Sequence, residues 1–230
     1  MQPFNRVTED VKTLRADVKR QGFAFLQSFA TAETCGYIRN FVDRFPETDA
    51  EMNYAGTEKR IWNSHSVDPV AEAFGALCDQ VMGAVFNSPC KARTVLAYSN
   101  FPIRPEQSLT TGRWHIDSLR HQYKLFCFLT RTRVQTGPLE LIPGTHRTAF
   151  KLWAIASGQY VSISDWGKQT RRYQSLNEQW AETRGRSAGG SVPLLCEPGT
   201  LILVDTSAIH RARPCLEGNR YVLAAYYDHF

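Results

Sequence analysis

From Lys91 onward the chain is written in short runs of β-branched and aromatic residues, each interrupted by Gly, Pro, Asn or Asp. Runs of that length and spacing predict an antiparallel sandwich or barrel. The expected strands are Ala92–Tyr98, Gly112–Asp117, Lys124–Thr130, Leu139–Ile142, Gly199–Asp205, Ile209–Arg213 and Arg220–Tyr227. The N-terminal third follows another period. Residues from about Val7 to Gln21 and from Pro69 to Phe86 place apolar side chains at three- and four-residue intervals. So do Tyr37, Ile38, Phe41, Val42 and Phe45, in a run that Thr31 or Ser28 can cap and Pro46 ends. These are expected helices, with Gly22–Leu26 as a short strand between the first two.

Between Phe150 and Gly190 neither period holds. This polar stretch, carrying Trp and Arg, is expected to be an insertion that forms helices or a lid over one end of the sheet. No linker or internal repeat divides the chain, so residues 1–230 are read as one domain, mainly β with a helical N-terminal third.

A hydrophobic share of 43% with 21% charged residues excludes a disordered or collagen-like chain. No apolar run approaches the roughly 20 residues that span a bilayer. The first twenty residues interleave charge throughout, so no secretory leader is expected and the cytoplasm is the expected location. The net charge of +5 is spread rather than gathered in a run, which argues against a nucleic-acid partner. One denser zone holds Lys168, Arg171, Arg172, Arg184 and Arg186; a solvated surface is its plainer reading and an anionic small-molecule substrate the sharper one. Six cysteines without a C-x-x-C pair exclude a zinc ribbon or a thioredoxin-type site and read as buried, reduced thiols. The oligomeric state is left open.

Candidate chemistry concentrates at Trp114-His115-Ile116-Asp117. In an extended strand, positions i and i+2 share a face, so His115 and Asp117 point together. An imidazole beside a carboxylate supplies two ligands of a facial triad, which leaves three positions of an octahedral iron open. A second histidine must complete the set. His210 follows an apolar strand and a tight turn, and Arg220 opens the final strand ten residues later. A guanidinium there suits a dicarboxylate held bidentately away from the metal. His146, in a Pro-Gly-Thr-His turn, reads as structural and His229 as terminal, while His65 and His121 are left open, either being able to face a substrate. Trp62, Trp153, Trp166 and Trp180 read as packing before cavity lining.

The ordered set W-H-I-D at 114–117, G-P-L-E-L-I-P-G-T-H-R at 137–147, E-P-G-T-L-I-L-V-D at 197–205 with H-R-A at 210–212, and Arg220 resembles the phytanoyl-CoA dioxygenase-like branch of the iron(II)/2-oxoglutarate oxygenases. The likeness runs from about residue 8 to the end. It implies a double-stranded β-helix, or jelly roll, and an enzyme that uses iron(II), 2-oxoglutarate and O2 to oxidise, most simply hydroxylate, an unactivated C–H bond of a small molecule. His115, Asp117 and His210 become metal ligands and Arg220 the partner of the distal carboxylate of 2-oxoglutarate. Many relatives place a serine two positions after the distal histidine, where this chain has Ala212 followed by Arg213. Tyr98, Asn100, Lys124 and Thr132 are the polar candidates to replace that contact. Residues Arg60-Ile61-Trp62-Asn63 fall where relatives contribute to a cavity rim.

Two other classes are weighed against this one. A non-catalytic jelly-roll binding module would not need all three ligand types and the arginine, and a cupin-type hydrolase or isomerase would carry further His or Glu ligands near residue 115. Desaturation, epoxidation and cyclisation draw on the same site as hydroxylation, and the sequence does not separate them.

Overall fold

The computed structural model describes residues 3–5, 11–54, 56–103, 112–158, 174–187 and 189–227. Its helices are α1 (Val11–Gln21), α2 (Ala32–Arg44), α3 (Pro69–Phe86), α4 (Thr148–Ala156) and α5 (Glu178–Ser187). Its strands are β1 (Phe23–Leu26), β2 (Glu51–Asn53), β3 (Glu58–Trp62), β4 (Thr94–Asn100), β5 (His115–Ile116), β6 (Tyr123–Phe128), β7 (Leu139–Leu141), β8 (Gln174–Ser175), β9 (Val192–Pro193), β10 (Thr200–Asp205), β11 (His210–Ala212) and β12 (Arg220–Tyr226). They form a seven-stranded sheet, β1-β10-β6-β12-β4-β3-β2, and a five-stranded sheet, β8-β5-β11-β7-β9. Every pairing is antiparallel.

Side-chain alternation on the large sheet separates two apolar layers. Leu125, Cys127, Leu201, Leu203, Leu223 and Ala225 point outward against Leu14, Val18, Ile38, Val42 and Phe74 of α1, α2 and α3. Phe126, Phe128, Ile202, Val204, Val222 and Ala224 point inward, where they meet Leu141 and Leu194 from the small-sheet side. A third layer, Trp114, Ile116, Ile142 and Ile209, backs the small sheet against Ala154 of α4 and Ala181 of α5. The architecture is the expected jelly roll with flanking helices. Among the described residues, no helix is long and apolar enough to cross a membrane.

Several local expectations change. The N-terminal third is not wholly helical: Glu51–Asn53 and Glu58–Trp62 make a hairpin that extends the large sheet beyond β4. The strand expected at 92–98 runs 94–100 instead, because β4 pairs with β12 from Thr94 through Asn100. The strand expected from Gly112 shrinks to His115–Ile116. Of the first helix, residues 7–10 lie outside the described residues. The described parts of the insertion are α4, α5 and the short β8, packed behind the small sheet, while Trp166, Lys168, Arg171 and Arg172 lie outside the described residues.

Gly199 shows why a glycine is required where β10 begins. Its φ of +82° is left-handed, and a Cβ there would run into the carbonyl oxygen of Ala30. Gly144 has a similar φ of +81° with open space around it. Gly144→Ala should therefore cost only about 1–2 kcal/mol, the left-handed penalty alone. Gly199→Ala should cost about 3 kcal/mol or more, since backbone must move. Denaturant unfolding of the two variants beside the parent protein checks the ordering, and equal losses would refute it.

Candidate metal centre

Two strands and the loop that follows one of them assemble the cluster. His115 and His210 are register partners across β5 and β11, with ring centroids 4.3 Å apart. Each folds its ring back on its own chain: Nδ1 of His115 lies 2.8 Å from the Arg113 carbonyl, and Nδ1 of His210 lies 2.9 Å from the Ala208 carbonyl. A carbonyl can only accept, so each Nδ1 carries the proton and the lone pair stays on Nε2. Asp117 follows on the same side, Oδ1 3.9 Å from His115 Nε2 and Oδ2 3.8 Å from His210 Nε2. Among the described residues, only this group places three ligand-type atoms within 4.8 Å of one another.

The charges suit a divalent cation. Burial, followed by the neighbouring His115, pulls the His210 pKa down to about 3, and burial likewise lowers that of His115. Both rings are thus neutral at pH 7. Burial alone would raise Asp117, but Lys124, with the two imidazoles, overrides it and holds the carboxyl well below the usual carboxylate range. Two neutral nitrogens and one ionised oxygen, converging on one side of a sheet, form the donor set of a facial triad.

The segments carrying these ligands are tied from outside. The Asp117 amide donates to the Thr206 carbonyl at 3.1 Å, and the Thr206 amide donates to Gln122 at 2.7 Å. Asp205, fully buried, accepts from the Ser207 amide and hydroxyl and meets Nδ1 of His121 at 2.5 Å. His121 is thus committed to the outward side of β10 and does not join the ligand cluster. His146 pairs with the Lys19 carbonyl at 3.0 Å, fixing the end of α1 in the structural role expected of it. His65 sits in the turn leading into α3.

Arg220, buried at the start of β12, lies beside Asn100 of β4, which lies beside Glu58 of β3. Its Nε and Nη2 donate to Asn100 Oδ1 at 3.1 and 2.7 Å, and Asn100 Nδ2 donates to Glu58 Oε2 at 2.9 Å. Glu58 Oε1 in turn lies 2.7 Å from Arg60 Nε. Glu58 was missed in the sequence, although Glu58, Arg60 and Trp62 alternate along one strand face. Tyr98 lies one pair further along the same inner face of β4, beside Val222. Burial pushes its phenol up, so it stays protonated.

Lys124 reaches Asp117 itself, Nζ 2.6 Å from Oδ2. Thr132 does not join the site. It lies beyond the opposite end of β6, where its hydroxyl accepts from the Cys196 amide at 2.6 Å and donates to the Leu194 carbonyl at 3.2 Å. Arg213 points to the outer face, Nε 2.9 Å from Glu140 Oε2, and Arg211 joins the same oxygen at 2.8 Å.

This arrangement of two sheets and a His-Asp-His cluster defines a class, the jelly-roll non-haem metal enzymes, and comparison with solved structures agrees on the fold. EctD from S. alaskensis with bound Fe superposes with a TM-score of 0.70 at 16% identity, over 98% of this chain and 78% of that one. The α-ketoglutarate-dependent carbocyclase SnoK from nogalamycin biosynthesis gives 0.69 at 13% identity, over 97% and 85%. The epimerase SnoN, in complex with Fe3+, α-ketoglutarate and nogalamycin RO, gives 0.66 at 13% identity, over 95% and 83%. A sequence search of curated proteins returns no match. Residues 18–216 match the phytanoyl-CoA dioxygenase family, and the chain belongs to it. It is a 2-oxoglutarate-dependent non-haem iron enzyme.

His115→Ala and His210→Ala should each abolish binding of one iron(II) or manganese(II) per chain in calorimetry, because two residual ligands hold a labile ion poorly; full binding in either variant would remove that residue from the ligand set. Glu140, lowered in pKa despite burial by Ser191, Arg211 and Arg213, stabilises the fold in its charged form. Glu140→Gln should cost about 1–3 kcal/mol at pH 7. Since the folded pKa is the lower one, the deficit is full above the unfolded value of about 4.3 and shrinks as pH falls through the folded value. Urea unfolding across that range checks the sign.

Proposed function

We propose that His115, Asp117 and His210 hold one iron(II) ion, that Arg220 binds the distal carboxylate of 2-oxoglutarate, and that the enzyme hydroxylates an unactivated C–H bond of a small molecule. The carrying observation is the pair of imidazoles whose Nδ1 protons are spent on their own strands, leaving two Nε2 donors beside one carboxylate. The donor types suit iron(II) in a site with open positions. When bound, iron with 2-oxoglutarate and O2 supplies the oxidising power, 2-oxoglutarate leaving as succinate and CO2.

The chain's own part is orientation and exclusion of water. Asn100 takes the Nε side of Arg220, which leaves the Nη1/Nη2 edge to meet a carboxylate through two parallel hydrogen bonds. Glu58 fixes which way the Asn100 amide points, because Nδ2 must donate to it. Phe126, Phe128, Val222 and Ala224 line the interior with carbon, so the carboxylate–guanidinium pair forms away from water. Tyr98, on the same face, is the second proposed contact for 2-oxoglutarate.

Hydroxylation is the simplest outcome. The names of SnoK and SnoN show that enzymes of this fold also cyclise and epimerise, so the outcome rests on where the substrate C–H bond lies. An anionic substrate draws less support than the sequence offered: Arg184 stacks over Trp153 at 4.6 Å and Arg186 donates to Thr183, which leaves Lys168, Arg171 and Arg172. Residues 1–230 are read as one domain, working in the cytoplasm, where its six thiols stay reduced.

Arg220→Ala should weaken 2-oxoglutarate binding by about 2–5 kcal/mol, seen as a steep rise in KM with little change in iron affinity. Arg220→Lys should recover part of the loss, because a single ammonium cannot reproduce the fork. Arg213→Ala, on the outer face, should leave KM unchanged. Succinate release titrated against 2-oxoglutarate checks all three, and a KM that rises only in Arg213→Ala overturns the assignment.

A further inference from the structure

Lys124 is an unusual residue for its position. It belongs to the inward face of β6, where its companions at two-residue spacing are Phe126 and Phe128, and its register partners are Val204 of β10 and Tyr226 of β12. An ammonium on that face is desolvated unless something replaces water. Two groups do. Asp117 Oδ2 lies 2.6 Å away, and the Tyr226 ring lies beneath Nζ at 4.4 Å from its centroid. Both side chains of the ion pair are nearly buried, at 13% and 12% exposure, so the contact is strong and directional rather than a surface pairing. Trp62 packs on Tyr226 at 5.9 Å, which backs the aromatic side of the clamp.

We infer that Lys124 is a positioning residue: its ammonium holds Asp117 Oδ2, so that the carboxylate meets the metal through Oδ1 alone. The inference rests on the ligand set proposed above. Its consequence is a matter of counting. A facial triad leaves three positions open, enough for a chelating 2-oxoglutarate and one oxygen ligand. An aspartate bound through both oxygens would take one of them. Oδ1 lies 3.9 Å from His115 Nε2 and Oδ2 3.8 Å from His210 Nε2, so it is the ammonium on Oδ2, not the distance to the rings, that leaves Oδ1 to complete the set.

Cobalt(II)-loaded full-length protein tests this without turnover. Lys124→Met keeps the length of the stem and suits the apolar wall. It should retain cobalt(II) within about tenfold of the parent affinity, alter the visible d–d absorption before 2-oxoglutarate is added, and weaken 2-oxoglutarate binding by about 10–100-fold. Lys124→Arg, which restores a cationic donor, should return most of the parental spectrum. Lys124→Gln replaces Lys124→Met if far-ultraviolet circular dichroism shows that the methionine variant has lost the fold. An unchanged cobalt spectrum with weakened 2-oxoglutarate binding would overturn the inference and make Lys124 a direct cosubstrate contact. An unchanged spectrum with unchanged binding overturns it as well. A parent protein that takes up no cobalt(II) would overturn the ligand set, and the clamp with it.

Discussion

The site depends on one register. His115 and His210 face each other because β5 and β11 pair them directly, and a slip of one residue in either strand would turn its own ring out of the interior. The register is pinned from the outer face. Arg211 stands opposite Glu140 of β7 and bonds it at 2.8 Å, while its guanidinium lies 4.2 Å from the Trp114 ring on the other side. One side chain thus grips both neighbours of the strand that carries the distal histidine. On the inner face Leu141 fills the space beside His210, and a slip that put Glu140 in its place would exchange an apolar side chain for a charged one.

Among the described residues, charge inside the roll is arranged in matched pairs, with Arg220 held differently. Asp117 is answered by Lys124, and Glu58 by Arg60. Arg220 is held by a neutral amide, Asn100, which orients the guanidinium without neutralising it. A buried cation with donors to spare favours an anion over water. The same reasoning explains why the histidines are neutral. Burial opposes charging either ring, and a charged ring would add a second cation beside Lys124 in a site with one carboxylate.

Much of this was legible. Apolar alternation marked most of the sheet strands, and the His-x-Asp spacing paired His115 with Asp117 on one side of the site, because both signals depend on neighbours in sequence. What failed depended on partners far away. The β2–β3 hairpin was hidden because Glu58-Lys59-Arg60 puts charge on both faces; Lys59 is buried there by capping α2, donating to the Phe45 carbonyl at 2.5 Å. In the sequence Lys124 shows only its polarity, and its bond to Asp117 across a loop has no sequence pattern. Thr132 shows no more than polarity either, and its hydroxyl fastens the 194–196 segment. Asn100 reads in the sequence only as a polar candidate for a cosubstrate contact, and in the fold its amide oxygen accepts from the Arg220 guanidinium.

The insertion also takes part in the site from behind. Lys151 of α4 is buried and donates both to the Leu119 carbonyl, just after Asp117, and to Ser207, just before His210. Burial pulls its pKa down to about 8, and nearby Asp205 offsets part of that cost. A side chain placed there only for packing would not need a charge, whereas an ammonium can satisfy two loops at once. The helix therefore fixes the spacing of the two loops beside Asp117 and His210, and a change in its seating would reach the proposed metal ligands without touching them.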